Sequence, residues 1–66
     1  MRLTDLRARM DDTFGAAYAA SVARDQVLTQ LGGRTVDQAL AQGEEAAVVW
    51  RAVVAAYPDR VPPGLR

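Results

Sequence analysis

The sequence predicts a single all-α domain of three to four helices. Apolar residues recur at helical spacing along most of the 66 residues, and no segment alternates strictly between apolar and polar residues as a half-buried strand would. Glycines and a proline interrupt the pattern at short intervals, as expected for helices joined by tight turns. The predicted helices cover residues 4–14, 16–31, 36–42 and 45–57. Residues 1–57 form the helical domain, and residues 58–66 are expected to be a loosely ordered, proline-rich tail.

The first predicted helix begins at Thr4, a suitable N-cap residue, and ends near Gly15. Successive helical residues are about 100° apart, which brings the large apolar side chains of this segment within an arc of about 80°. The side chains expected in the core from this arc are Leu6, Met10 and Phe14.

The second predicted helix covers residues 16–31 and ends at a glycine pair suited to a C-cap. Its main apolar arc combines small alanines with three larger side chains. These predicted core residues are Val27, Leu28 and Leu31. Tyr18 and Val22 lie almost opposite the arc, and a helix that is apolar on two sides is usually packed between neighbours. The sequence therefore predicts a central position for this helix.

The third and fourth helices have clear start signals. Thr35 and Gln38 have the spacing of a capping box, which predicts a short helix with Leu40 in the core. A glycine ends this helix, and two glutamates, whose charges suit a helix N-terminus, begin the last one. Pro58 ends the last helix. Its wide apolar face supplies the remaining predicted core residues, which are Val49, Trp50 and Val53.

The composition excludes several kinds of site. The chain has no cysteine and no histidine, so it lacks a disulfide, the nitrogen and sulfur ligands of a zinc site, and the commonest catalytic base and nucleophile. Adjacent carboxylates such as Asp11 and Asp12 point about 100° apart on a helix and do not form a two-carboxylate site. We therefore expect no enzymatic activity, no metal ion and no cofactor.

The charges and hydropathy limit the environment of the protein. Eight basic residues, all arginine, balance eight acidic ones, which argues against nucleic-acid binding through bulk positive charge. The longest nearly apolar stretch, residues 46–57, is shorter than the roughly 20 residues needed to span a bilayer. We expect a cytoplasmic protein without membrane association.

Residues 35–54 have the outline of a helix-turn-helix, with Gly43 at the turn. In that register, however, the positions that are normally buried in this motif carry polar side chains, which are Gln38, Gln42 and Glu44. The predicted recognition helix also offers almost no polar side chain to a base edge. Nucleic acid is therefore a possible but disfavoured partner.

Three arginines are candidate contacts to a partner. Arg24 falls within the apolar arc of the second helix, so its guanidinium must either reach solvent or pair. The expected partner within the chain is Asp37 or an acidic residue of the first helix, and the alternative is an anion or a partner peptide. Arg34 lies in the following loop and could serve the same site, whereas Arg51 is expected to be exposed beside Trp50. Because large apolar residues are few, we expect some apolar surface to be covered by a partner or a second copy. This surface would lie near Tyr18 and Val22 or along the first helix.

Several short motifs occur together along the chain. They are Arg24-Asp25-x-Val27-Leu28, Leu31-Gly32-Gly33-Arg34-Thr35 and Val49-Trp50-Arg51-Ala52. In this combination the sequence resembles a family of small actinobacterial proteins, domain of unknown function 3046. Family members often carry aromatic residues at the positions of Leu6 and Arg7 and a cysteine at that of Val54, so this chain departs from the pattern there.

The resemblance implies no activity, because the family has no assigned one. It does imply an association with genes of homologous recombination. The sequence as a whole predicts a non-catalytic protein-binding or regulatory module, bound to an unknown protein or to a second copy. The alternative is a nucleic-acid-binding domain of degenerate helix-turn-helix type, linked to DNA recombination or repair.

Overall fold

Four α-helices pack around one hydrophobic core in the computed structural model, which describes residues 1–66. The helices are α1 (Leu3–Phe14), α2 (Ala16–Asp25), α3 (Val36–Ala41) and α4 (Ala46–Ala56). Short 3₁₀ turns at Thr29–Leu31 and Pro63–Leu65 follow α2 and α4. The predicted all-α class is confirmed, and three of the four helices end within about two residues of their predicted bounds.

Helix α1 begins one residue earlier than predicted. Arg2 is its N-cap, and the backbone N–H of Arg2 donates to the carboxylate of Asp5 at 3.1 Å. Thr4 therefore lies inside the first turn and does not cap the helix. Gly15 ends α1 at φ +83°, a conformation that favours glycine. The three predicted core residues of α1, Leu6, Met10 and Phe14, are all buried.

Helix α2 is much shorter than predicted, since it ends at Asp25 instead of Leu31. Its buried face consists of Ala19, Val22 and Ala23, so the predicted arc was wrong and Val22 belongs to the core. Continuing the helix at about 100° per residue would carry Gln26 and Gln30 onto this same buried face. Burying two amides without partners is costly, and the chain leaves the helix before the first of them.

The segment after α2 is extended and then turns. The backbone N–H of Leu28 donates to the carbonyl of Arg34 at 3.0 Å, and the 3₁₀ turn lies between these residues. Leu28 and Leu31 are buried as predicted. Val27 was wrongly assigned to the core: its side chain is 61% exposed, because the extended backbone turns it away from its neighbour Leu28.

The start of α3 confirms the predicted capping box. The hydroxyl of Thr35 accepts from the Gln38 backbone N–H at 3.1 Å, and the Gln38 side chain accepts from the Thr35 N–H at 2.9 Å. Leu40 differs from its prediction, because it is only half-buried and packs against the edge of the core.

Helices α1 and α4 run in the same direction, side by side. Leu3 lies near Ala47 at their starts, Arg9 is 5.8 Å from the Trp50 ring in the middle, and the Phe14 and Tyr57 rings are 5.1 Å apart at their ends. Val49, Trp50 and Val53 of α4 are buried, as predicted.

The C-terminal segment does not extend loosely from the domain but folds back onto it. Val61 is 2% exposed, and Leu65 packs against the core. The indole N–H of Trp50 donates to the carbonyl of Leu65 at 2.7 Å, and a guanidinium N–H of Arg9 donates to the same oxygen at 3.5 Å. Residues 58–66 therefore form a strap across α1 and α4, and the expected boundary at residue 57 does not separate core from tail.

Candidate functional site

Arg24 lies on the surface and not in an apolar arc. Its guanidinium donates to the carboxylate of its neighbour Asp25 at 3.1 Å, while Asp37, the expected partner, pairs with Arg7 at 3.0 Å. The hydrogen bond to Asp25 and the charge of that carboxylate raise the pKa of Arg24, and Asp37 adds to this shift. The hydrogen bond from Arg24 correspondingly lowers the pKa of Asp25. Arg24 is thus occupied by a local, exposed ion pair.

Arg34 fastens the loop after α2 to the turn between α3 and α4. Its Nε donates to the carbonyl of Leu31 at 2.7 Å, and Nη1 donates to the side-chain oxygen of Gln42 at 2.9 Å. Nη2 lies 3.5 Å from a carboxylate oxygen of Glu44. All of these contacts lie within the chain, and none of these partners is shared with Arg24. The two arginines therefore do not form one site.

Arg51 differs from the other two candidates because it is exposed and makes no hydrogen bond or ion pair. It lies in the middle of α4, whose eleven residues include no other polar side chain. Glu45, the N-cap of α4, is also exposed and makes no side-chain hydrogen bond or ion pair. These two opposite charges flank the first half of the helix.

The side of α4 that faces solvent is apolar except for Arg51. At about 100° per residue, the buried side chains from Val49 to Val53 occupy one side of the helix, and a separate arc of about 120° lies opposite. We call this arc the outer face of α4; it consists of Ala47, Val48, Arg51, Val54 and Ala55. Ala47, Val48 and Val54 are half-buried, and Arg51 and Ala55 are exposed.

A groove of about 370 Å³ continues the outer face at the N-terminal end of α4. Its apolar lining comes from three elements and consists of Met1, Leu3, Leu40, Ala46 and Ala47. Glu44 and Glu45 supply the acidic side chains of its rim. Met1 and Leu3 are 48% and 51% exposed, so two of the four exposed large apolar side chains of the protein line this groove.

The other two exposed large apolar residues, Tyr18 and Val27, do not line this groove. The Tyr18 ring meets the Phe14 ring edge-on at 6.2 Å, and the Arg60 guanidinium lies 5.9 Å from the Tyr18 ring. Tyr18 is therefore partly covered by the chain's own strap. The predicted apolar surface near Tyr18 and Val22 is wrong in part, because Val22 is buried in the core.

The sequence predicts an exposed Arg51 but not the apolar surface around it. In the predicted last helix the apolar residues belong to one wide core face, whereas in the structure Ala47, Val48 and Ala55 lie on a second face. The signal was present, because a helix with one polar residue in eleven cannot bury every side chain in a domain of this size.

Few groups are arranged for chemistry. The hydroxyl of Ser21, the chain's one serine, donates to Asp25 at 3.4 Å on the surface of α2. No three carboxylates lie close enough together to hold a metal ion. None of the helices has the length and apolar character required to span a membrane.

The fold and this surface define a class: a small four-helix domain that exposes one apolar helix face and an adjoining groove. The chain belongs to the family described as "Protein of unknown function (DUF3046)", whose family model matches residues 1–64. This confirms the resemblance found in the sequence. No curated protein and no solved structure matches the chain.

Proposed function

We propose that the protein is a non-catalytic protein-binding or regulatory module that binds through the outer face of α4 and the adjoining groove. One observation carries this proposal: α4 lies on the surface, yet ten of its eleven side chains are apolar. Surface helices normally place charged and polar residues toward solvent, and a helix that is apolar all round is normally buried. A protein partner would supply the missing cover.

The shape of this surface suits a helix or an extended segment of a partner. Alanine and valine side chains make the outer face of α4 shallow, which allows another backbone to approach closely. Met1 and Leu3 add larger flexible side chains at the groove, where a partner could bury them. Contiguous exposed apolar surface with a charged rim is a common feature of protein interaction sites.

The absence of catalysis is part of the proposal and rests on the available side chains. Without histidine, cysteine or lysine, the chain has few groups that could activate a nucleophile near neutral pH. Ser21 has only a carboxylate within reach, and that carboxylate is shared with Arg24. Function would therefore come from what the protein binds.

The nucleic-acid alternative has less support. Helices α3 and α4 do follow each other as in a helix-turn-helix, but the outer face of α4 offers only Arg51 to a base edge or a phosphate. Glu44 and Glu45 at the start of α4 would meet phosphates with repulsive charge. Binding through this motif would have to depend on one arginine.

A pull-down with matched arginine variants tests the proposal. The tagged protein is incubated with an actinobacterial lysate, with and without nuclease, and bound proteins are quantified by mass spectrometry. Ala55→Arg places a long charged side chain on the outer face of α4, whereas Ala17→Arg makes the same change at an exposed alanine of α2. Circular dichroism establishes that both variants fold.

The proposal predicts a protein that the parent and Ala17→Arg retain equally and that Ala55→Arg retains at least about tenfold less, a loss of about 1.4 kcal/mol. Nuclease should not change this pattern. Equal retention by all three proteins would overturn the proposed surface. Capture that disappears with nuclease would favour the nucleic-acid alternative.

A further inference from the structure

We infer that the partner on the outer face of α4 is an amphipathic α-helix of another protein that places a carboxylate against Arg51. This inference rests on the proposed function, because it names the class of partner for the proposed surface. It is carried by the position of one charge: Arg51 is exposed and unpaired, and every side chain around it on the helix surface is apolar.

Arg51 occupies the centre of the outer face of α4. At about 100° per residue, it lies about 60° from either edge of the arc. Its neighbours on the helix surface are the residues three and four positions away in each direction, which are Ala47, Val48, Val54 and Ala55. A partner that covers these four apolar side chains therefore also covers the guanidinium of Arg51.

The guanidinium needs an opposite charge once water is excluded from it. Burying an unpaired charge is costly, and the chain itself supplies no acceptor to Arg51. A carboxylate meets this need best, because it can accept two parallel hydrogen bonds from one guanidinium. Arg34 has no such need, since its hydrogen bonds and its ion pair all lie within the chain.

The same surface favours a helix over an extended segment as the partner. The backbone groups of an α-helix pair along the helix itself, so the outer face of α4 offers a partner only side chains. An extended segment buried there would leave some of its own backbone groups without hydrogen bonds, whereas a helix pairs them internally. The small side chains of Ala47 and Ala55 also allow two helix axes to approach to about 8–10 Å.

The groove fixes where the largest apolar side chain of the partner binds. Ala47 belongs both to the outer face and to the groove lining, and Arg51 lies one helical turn, about 6 Å, further along α4. Glu44 and Glu45 on the groove rim would repel a carboxylate placed at that end. A helix lying along α4 would therefore carry a large apolar residue and an acidic residue three or four positions apart, in either order.

A second copy of α4 does not meet this requirement. Its outer face contains no acidic residue and would bring a second Arg51 toward the first. Like charges that face each other across an interface oppose binding. The complementary helix therefore belongs to a different protein.

A displayed library of helical peptides tests the inference without the natural partner. Each peptide is an alanine-rich helix of about 18 residues in which the positions of one face are randomised. The library is first depleted of peptides that bind the Ala55→Arg variant, whose outer face is blocked, and is then selected on the immobilised full-length protein. A parallel selection uses Arg51→Glu, which reverses the central charge and leaves the apolar side chains unchanged. Circular dichroism establishes that both variants fold.

We expect the parent protein to enrich peptides with an acidic residue three or four positions from a large apolar residue, at least about tenfold over the starting library. Arg51→Glu should instead enrich lysine or arginine at the acidic position. Binders without a charge preference, or with the same preference on both proteins, would overturn the carboxylate contact and leave the proposed function in place. A library without any binder that distinguishes the parent from Ala55→Arg would overturn the helical partner, and the pull-down decides separately on the proposed function.

Charge exchange with one selected peptide tests the contact itself. Lysine in place of the acidic residue of the peptide, or Arg51→Glu in the protein, should each weaken binding at least about tenfold, measured by fluorescence anisotropy. The two changes together restore opposite charges and should recover most of the affinity. A combination as weak as either single change would overturn the contact.

Arg24→Glu is the matched control for the charge exchange. It makes the same change of net charge at an exposed arginine of α2, away from the outer face of α4. Since solvent and salt screen distant exposed charges, affinity for the selected peptide should stay within about twofold of the parent value. A loss equal to that of Arg51→Glu would show that net charge, and not a contact to Arg51, determines binding, and would overturn the inference.

Discussion

At the scale of single residues, the clearest electrostatic feature is the ion pair between Arg24 and Asp25. The guanidinium donates to both carboxylate oxygens at 3.1 Å, and Ser21 donates to one of them at 3.4 Å. These hydrogen bonds lower the pKa of Asp25 from its ordinary value near 3.8. Because both residues are exposed, solvent screens the pair, and its contribution to stability is small.

The pKa of Asp25 should therefore depend on Arg24. In the parent protein its carboxyl titrates below its ordinary value, and Arg24→Gln should raise that pKa toward the ordinary value by removing the largest cause of the shift. Carbon-detected NMR titration of the side chain measures both. Arg51→Gln removes the same charge elsewhere and should leave the pKa of Asp25 unchanged; an equal response to both variants would contradict a local cause.

The direction of the shift also fixes its effect on stability. Since the pKa of Asp25 is lower in the folded than in the unfolded protein, its ionised form contributes stability at pH values above the unfolded pKa. That contribution disappears as the pH falls through the folded pKa. The effect is confined to pH values near and below 4.

Individual core residues were predictable where the helix was regular. Leu6, Met10 and Phe14 follow the helical repeat of α1 and are buried as expected. Val22 and Val27 were both assigned wrongly, because they were projected on one continuous helix that ends between them. A helical projection is reliable only for residues of one continuous helix, so one missed helix end changes the predicted environment of residues on both sides of it.

At the scale of elements, local hydrogen bonding predicts helix starts well when both capping partners are present. Thr35 is 5% exposed, and its hydroxyl and backbone N–H are both bonded to Gln38. Thr35→Ala removes the hydroxyl and leaves the Gln38 N–H without this acceptor. The variant should lose about 1 kcal/mol of unfolding free energy, measured by urea denaturation.

Thr4→Ala is the control for this prediction. Thr4 was expected to cap α1, but it is exposed within the first turn and makes no hydrogen bond. Its replacement should change the free energy of unfolding by less than about 0.5 kcal/mol. A Thr4→Ala protein destabilised as much as Thr35→Ala would show that Thr4 does cap α1.

The end of α2 was harder to predict from the sequence because no glycine or proline marks it. The helix ends at Asp25, and the chain continues in an extended conformation toward Leu28. The cost that ends the helix is tertiary, because a longer helix would bury Gln26 and Gln30 in the core. This cost can be recognised only when Ala19, Val22 and Ala23 are known to face the core. The outer face of α4 was missed for a similar reason, since an apolar pattern does not say which of two apolar sides is covered.

At the scale of the whole molecule, the C-terminal strap joins the parallel helices α1 and α4. Trp50 and Arg9, one from each helix, both donate to the carbonyl of Leu65. The strap also buries Val61, so it contributes a side chain to the core in addition to hydrogen bonds. Composition alone suggested a loose tail, because prolines and a glycine are common in such segments. The two donors to the Leu65 carbonyl lie 15 and 56 residues away along the chain, so the local sequence does not reveal these contacts.

Val61→Ala tests whether the strap folds as one unit with the helices. Removing two methyl groups from a side chain that is 2% exposed should cost about 2 kcal/mol. Val27→Ala makes the same change at a side chain that is 61% exposed and should cost less than about 0.5 kcal/mol.

Denaturation is followed by the fluorescence of Trp50, which contacts the strap, and by far-UV circular dichroism, which reports on the helices. If the strap is part of the cooperative unit, both signals shift together to lower denaturant with an unchanged slope. Fluorescence that changes before the helical signal would instead show a strap that detaches from an otherwise folded domain. Because Trp50 is the only tryptophan in the chain, its fluorescence can be assigned to this contact.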